Sequence, residues 1–131
     1  MTALRVLIVD DNAMNVMLAQ EVLGLDGFEV ESAVDALQTR DRVISFRPDV
    51  VLMDIQMPVV DGLTLTREIK ANPLTRHIVV IAFTAFAMRG DDAKMRASGC
   101  DGYLSKPIDV RQFAAQVRAC VANARPSSNV G

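Results

Sequence analysis

The sequence predicts an α/β fold built on a five-stranded, doubly wound parallel sheet with strand order 2-1-3-4-5. Three short runs rich in valine and isoleucine lack alternating polar residues, which is typical of strands covered on both faces. Two weaker runs, second and fifth in sequence, suit the edges of such a sheet. In order, the expected strands span residues 4–9, 28–33, 50–53, 78–83 and 102–105.

Helical spacing of apolar residues places one helix after each strand. The first helix is expected to turn a stripe of apolar side chains toward the core and to end at Gly24 or Gly27. The last helix is expected to begin at Asp109, a favourable N-cap residue. The earlier helices span about 14–25, 35–46, 63–71 and 88–97, and the stripe of the first consists of Met14, Met17, Leu18, Val22 and Leu25.

Length and composition indicate one globular domain. The chain has 131 residues, of which 50% are hydrophobic and 23% are charged. We expect a domain over residues 1–124 and a flexible polar tail over residues 125–131. The seven methionines are expected mainly to fill the core.

The charge and the content of special residues exclude several classes of protein. The balance of 14 basic and 16 acidic residues argues against direct binding of nucleic acid. One histidine and two cysteines are too few for a multi-histidine metal site or a structural zinc site. There is no apolar run of roughly 18 residues that could span a membrane, and the N-terminus does not read as a signal peptide. A cytoplasmic domain is therefore expected.

Reactive side chains follow four of the predicted strands at their carboxyl ends. Asp10 and Asp11 follow the first strand, and Asp54 follows the third. Thr84 ends the fourth strand, and Lys106 follows the fifth. In a sheet of this flavodoxin-like order, ligands bind at that edge. Three carboxylates brought together repel one another, and Mg²⁺ with its preference for oxygen ligands would relieve the repulsion. Together with a lysine, such a site suits phosphoryl transfer to a carboxylate.

Four stretches of the sequence carry a family resemblance. They are VLIVDDN at 6–12, PDVVLMDIQMPVVDG at 48–62, IAFTAFAM at 81–88 and GYLSKPID at 102–109. On these motifs the chain resembles the receiver domain of two-component response regulators, the CheY-like superfamily, and within it the single-domain, DivK-like type. The resemblance implies a phosphoacceptor switch that assists its own phosphorylation and dephosphorylation rather than an enzyme with a separate substrate.

The resemblance also implies roles for individual residues. Asp54 would accept the phosphoryl group. Asp10 and Asp11 would hold Mg²⁺, for which Mn²⁺ could substitute, together with Asp54 and the backbone carbonyl of Gln56. Lys106 would contact a phosphoryl oxygen.

Further residues would carry the switch. Thr84 would bind another phosphoryl oxygen and move inward, Tyr103 would change rotamer in response, and the peptide bond before Pro107 would be cis. The bulky Phe86 would slow the loss of the phosphoryl group.

The resemblance implies partner proteins as well. A histidine kinase or histidine phosphotransferase would donate the phosphoryl group. A downstream protein target would bind the face formed by the helix at 88–97, the fifth strand and the last helix. The chain would be a monomer or a weak dimer.

Two other functions are weighed against this one. A phosphohydrolase of the haloacid dehalogenase type also uses an aspartate nucleophile, but its second acid is missing from Asp54-Ile55-Gln56. A degenerate receiver that only docks would lack key residues, yet every key position is intact.

Overall fold

The structure is a computed structural model that describes residues 4–54, 62–84, 97, 99–106 and 108–124. Five parallel strands form one sheet of order β2-β1-β3-β4-β5, which confirms the predicted fold class and strand order. The weaker runs are indeed the edges. The strands are β1 (Arg5–Val9), β2 (Glu29–Ala33), β3 (Val50–Asp54), β4 (Val79–Thr84) and β5 (Gly102–Ser105).

Four helices fall within the described residues. They are α1 (Ala13–Leu25), α2 (Ala36–Ser45), α3 (Gly62–Ala71) and α4 (Phe113–Ala124). The predicted helix at 88–97 lies almost entirely outside the described part of the chain, as does the predicted tail at 125–131. No helix in the described ranges is long and apolar enough to cross a membrane.

The core consists of two apolar layers, one on each face of the sheet. Alternate residues of the central strands point to opposite faces, so Val6 and Ile8 belong to one layer while Leu7 and Val9 belong to the other. Helices α1 and α4 cover the first layer, and α2 and α3 cover the second. Because both faces are covered, β1 and β3 are buried along almost their whole length.

Helix α1 turns a different face to the core from the predicted one. Its buried residues are Val16, Ala19 and Leu23. Of the predicted stripe, only Val22 packs against the core, and the other four side chains are exposed by 37–92%. The prediction of the buried face was wrong because α1 itself carries apolar residues on more than one side. The spacing of its apolar residues alone therefore does not identify the side that faces the core. The exposed side chains are Met14, Met17, Leu18 and Leu25.

The ends of α1 and α4 follow recognisable capping chemistry. Gly27 has a φ of 93°, and the amides of Gly27 and Phe28 donate to the carbonyls of Gly24 and Leu23. These two hydrogen bonds satisfy carbonyl groups in the last turn of α1. The bonded arrangement needs a residue with positive φ just beyond the helix end, and Gly27 is that residue. The predicted start of the last helix at Asp109 was wrong: the carboxylate of Asp109 accepts from the amide of Arg111 and caps a turn over residues 110–112, and α4 begins only at Phe113.

Candidate functional site

The sheet order brings the acidic residues of two separate motifs together. Strands β1 and β3 are neighbours, and Val9 is in register with Met53, so the residues that follow meet at one edge. One carboxylate oxygen from each of Asp10, Asp11 and Asp54 lies within 4.8 Å of the other two. The structure therefore gathers the three predicted acids in one cluster, called here the carboxylate cluster.

The three acids of the carboxylate cluster differ in exposure. Asp10 is fully buried and Asp54 is 4% exposed, whereas Asp11 is exposed to solvent. A buried carboxylate is strongly unfavourable unless hydrogen bonds or a positive charge compensate for the lost water. The site is thus closed on the side of the sheet and open at Asp11.

The turn after β1 fixes the orientation of Asp10. The Asn12 amide donates to Asp10 Oδ1 at 2.9 Å. The Asn12 side chain in turn accepts from the amides of Met14 and Asn15, and so forms the N-cap of α1. Sequence reasoning assigned no role to Asn12 at the site. An asparagine directly before an apolar helix is nevertheless a recognisable cap.

Lys106 supplies the positive charge. Its ammonium nitrogen lies 2.8 Å from Asp10 Oδ2 and 3.6 Å from Asp54 Oδ2, and its side chain is only 15% exposed. The same nitrogen lies 5.1 Å from the centre of the Phe83 ring, which is buried beside Phe113. The lysine is therefore held between two buried carboxylates and an aromatic ring, where its charge offsets part of their repulsion.

The donor set fits a hard divalent cation. Asp10 Oδ2 is buried and accepts no hydrogen bond from the described residues, although the Lys106 ammonium is close to it. A buried carboxylate oxygen with a lone pair left over is a good ligand for Mg²⁺, which favours one or two carboxylates together with water and phosphate oxygens. Asp11 is exposed to solvent and so can contact a hydrated ion.

The remaining predicted site residues are described only in part. Thr84 is the last residue of β4 and pairs with Ser105 of β5, but its side chain lies outside what the structure describes. Tyr103 lies on the edge strand β5, opposite Ala82, and is 45% exposed. Gln56, Phe86 and Pro107 are outside the described residues, so the roles implied for them stay predictions.

The two cysteines lie away from the carboxylate cluster. Burial raises the pKa of the Cys100 thiol and, separately, that of the Cys120 thiol. Cys100 also contacts the Thr66 hydroxyl at 3.9 Å, and Cys120 lies against Gly102. A raised pKa disfavours the reactive thiolate, which is consistent with side chains that pack rather than react.

Known proteins share both the sequence and the fold. The family model for the response regulator receiver domain matches residues 6–118. The polar-differentiation response regulator DivK of Brucella anthropi is 41% identical over 119 residues, which cover 91% of this chain and 97% of that protein.

Two solved structures extend the comparison. The receiver domain of the sensor histidine kinase PA1611 from Pseudomonas aeruginosa, solved with a magnesium ion coordinated in its active site cleft, has a TM-score of 0.81 and 30% identity, and the match covers 92% of this chain and 99% of that one. The chemotaxis protein CheY4 of Vibrio cholerae has a TM-score of 0.86 at 23% identity over 91% of this chain and 99% of its own, a likeness of fold.

Proposed function

The chain belongs to the response regulator receiver domain family, and from this premise we propose that it accepts a phosphoryl group on Asp54 from a phosphorylated histidine of a kinase or phosphotransferase. The observation that carries the proposal is the meeting of Asp10, Asp11 and Asp54 with Lys106 at one edge of the sheet. A buried carboxylate with a neighbouring ammonium is suited to attack phosphorus, because the positive charge stabilises the oxygens of the group in transfer.

The proposed reaction exchanges one bond to phosphorus for another. An oxygen of Asp54 attacks the phosphorus of the phosphohistidine, and the bond between phosphorus and the imidazole nitrogen breaks. The imidazole leaves with the electron pair of that bond and is neutral once its proton balance with solvent is restored. The product is an acyl phosphate on Asp54. Water later attacks that phosphorus and releases inorganic phosphate and the free carboxylate.

Asp10, Asp11 and Asp54 would hold Mg²⁺ in this proposal, and Mn²⁺ would serve in its place. When bound there, the ion would neutralise charge on the carboxylates and on the phosphoryl oxygens. The protein's own contribution is to orient Asp10 through the Asn12 amide and to keep Asp10 and Asp54 out of water. Both effects keep the carboxylates in place before the donor arrives.

Phosphorylation would alter the environment of Lys106 and thereby β5. In the unphosphorylated structure its ammonium is closer to Asp10 than to Asp54. A phosphoryl dianion on Asp54 would draw the ammonium away from Asp10. Lys106 directly follows β5, so its displacement would shift an edge strand that carries the half-exposed Tyr103. The face that the family resemblance assigns to the helix predicted at 88–97, β5 and α4 would then bind a downstream protein differently.

Incubation with acetyl phosphate and Mg²⁺ tests the proposed acceptor. The intact protein should gain the mass of one phosphoryl group, and Asp54→Asn should gain none. The matched control is Asp41→Asn, which removes an exposed acid from α2 and should be phosphorylated like the wild type. The adduct should be stable in acid and cleaved by hydroxylamine, as expected of an acyl phosphate.

Three results would contradict the proposed acceptor. Uptake by Asp54→Asn would move the phosphoryl group to another residue. Uptake that is unchanged in excess chelator would remove the role of the divalent ion. Steady turnover of a phosphomonoester would favour a phosphohydrolase over a switch.

A further inference from the structure

A long groove runs between α2 and α3 on the face of the sheet opposite α1. Two adjoining cavities form it, one of about 230 Å³ and one of about 390 Å³, and both are lined by Val43, Ile44 and Thr75. The larger cavity also reaches Pro48 and Ile78, which lie just before β3 and β4. The groove therefore opens toward the amino ends of the strands, whereas the carboxylate cluster lies at their carboxyl ends.

Large apolar side chains stand exposed in the larger cavity. Ile44 is 66% exposed and Leu74 is 79% exposed, and both line it. Val43 and Ile78 beneath them are buried and form an apolar floor. Two exposed aliphatic side chains around an apolar floor offer a place for one further apolar side chain.

Basic side chains also flank the larger cavity. Arg47 lines it, and the exposed Arg76 is adjacent in sequence to His77, another lining residue. In the described part of the chain, the guanidinium groups of Arg47 and Arg76 have no hydrogen bond or ion pair. The smaller cavity is different, because there Arg40 and Glu68 pair through two hydrogen bonds of 2.8 Å.

The backbone at Arg47 is a second sign that its side chain matters. Arg47 follows Phe46, the C-cap residue of α2, and has a φ of 52°, in the left-handed region where glycine is the favoured residue. An arginine there is strained by roughly 1 kcal/mol relative to glycine. A residue kept in an unfavourable conformation at the rim of an apolar cavity suggests a use for its charge.

We propose that the groove binds an amphipathic helical segment of a partner protein, with an apolar side chain in the larger cavity and carboxylates against Arg47 and Arg76. Charge complementarity selects this occupant, because two unpaired arginines call for acids from outside. A second copy of the chain fits poorly, since a symmetric contact would place two sets of the same cations in one interface. The proposal does not depend on phosphorylation of Asp54.

A peptide display selection against the intact wild-type chain tests the proposal. The library presents peptides of about four helical turns, and one enriched peptide is then labelled for measurements of Kd. We expect enriched sequences to combine a large apolar residue with acids at helical spacing. Binding should weaken roughly tenfold in Arg47→Gly, and it should weaken with added salt.

The variants separate binding from folding. Arg47→Gly should keep or raise the melting temperature, because glycine suits the left-handed backbone. Arg76→Gln removes the charge of the second arginine and leaves the backbone conformation unchanged. Ile44→Ser should also weaken binding, because it removes an exposed apolar side chain from the larger cavity. Leu25→Ser is its matched control, since Leu25 is exposed at the end of α1 on the opposite face.

Several outcomes would overturn the proposal. It fails if no peptide is enriched, if the enriched peptides are basic, or if Arg47→Gly and Ile44→Ser bind as tightly as the wild type. It also fails if the wild type dimerises and Ile44→Ser abolishes the dimer, which would assign the groove to a second copy.

Discussion

At the scale of single residues, one lysine serves both buried acids of the site: the Lys106 ammonium lies 2.8 Å from Asp10 Oδ2 and 3.6 Å from Asp54 Oδ2. Asp10, Asp11 and Asp54 could be predicted to converge, because the carboxyl ends of parallel strands meet at one edge. The unequal exposure of the three acids was not predictable, nor was the closer approach of Lys106 to Asp10 than to Asp54. Both depend on the three-dimensional path of the turn after β1, which spacing in sequence does not specify.

Lys106→Met should have opposite effects on stability and on metal affinity. Without Mg²⁺, the variant leaves the buried Asp10 without its cation, and we expect it to lose about 2 kcal/mol of unfolding free energy. With the ammonium gone, nothing competes with Mg²⁺ for Asp10 Oδ2, so the ion should bind roughly tenfold more tightly. Chemical unfolding in chelator and calorimetric titration with Mg²⁺ measure the two effects.

The matched control for that variant is Arg67→Met, which removes a cation from the exposed surface of α3. It should change neither quantity beyond a few tenths of a kcal/mol. A Lys106→Met protein as stable as the wild type in chelator, or one that binds Mg²⁺ more weakly, would show that the lysine does not compensate the buried acid.

Because of the two cysteines, we expect the folded protein to lose stability at alkaline pH. Burial raises the pKa of both thiols in the folded protein, so their contribution is fully present below the unfolded pKa of about 8.5 and is lost as pH rises through the folded values. Unfolding free energies measured from neutral to alkaline pH should fall more steeply for the wild type than for Cys100→Ala/Cys120→Ala. Equal slopes for the two proteins would contradict the burial of the thiols.

At the scale of elements, α1 is a helix whose buried face cannot be predicted from the spacing of its apolar residues. Helical periodicity located the helix, and Gly27 was one of the two ends considered, because both follow from local propensity. The buried face was not predictable, since apolar residues occur on more than one side. The face that remains outside carries Met14, Met17 and Leu18. These are not core filler, and their position on the helix that follows Asp10 and Asp11 suggests contact with a phosphodonor.

Met17→Glu should therefore separate protein donors from small ones. Met17 is 61% exposed, and glutamate is a good helix former, so the fold should be unaffected. A charge on this apolar face should slow phosphoryl transfer from a purified histidine kinase roughly tenfold. The reason is that the kinase would have to bury a charged side chain in place of an apolar one beside the site. Transfer from acetyl phosphate should be unchanged.

Leu25→Glu controls for the charge itself. Leu25 is 92% exposed at the other end of the same helix, away from the carboxylate cluster. It should leave transfer from both donors at the wild-type rate. If Met17→Glu slows acetyl phosphate as much as the kinase, the effect lies in the site rather than in docking.

At the scale of the whole molecule, the fold was predictable because the sequence of each strand indicates whether it is buried on both faces, and the weak second and fifth strands match the edges of the order 2-1-3-4-5. Contacts between distant elements were not predictable. The Lys70 ammonium, for example, donates to the Ile78 carbonyl at 2.6 Å and to Asp101 at 2.7 Å, and that carboxylate accepts from the Val80 amide. This contact joins α3, β4 and the residues before β5. It depends on how the packed elements approach, which no local pattern contains.

The carboxylate cluster makes the stability of the entire domain sensitive to Mg²⁺. An ion that binds only the folded state stabilises it by mass action, by about 2.7 kcal/mol at a concentration one hundred times its Kd. Replacing one acid removes both a ligand and a source of repulsion. Asp54→Asn should consequently melt at or above the wild-type temperature in chelator and gain much less from added Mg²⁺.

The comparison needs melting curves of both proteins with chelator and with Mg²⁺, and of Asp41→Asn as the control. Asp41→Asn should respond like the wild type, because its carboxylate is exposed on α2 and belongs to no cluster with the three acids. A clear fall in melting temperature for Asp54→Asn in chelator would mean that repulsion within the cluster is already fully compensated by Lys106, and the charge argument for the ion would lose its basis.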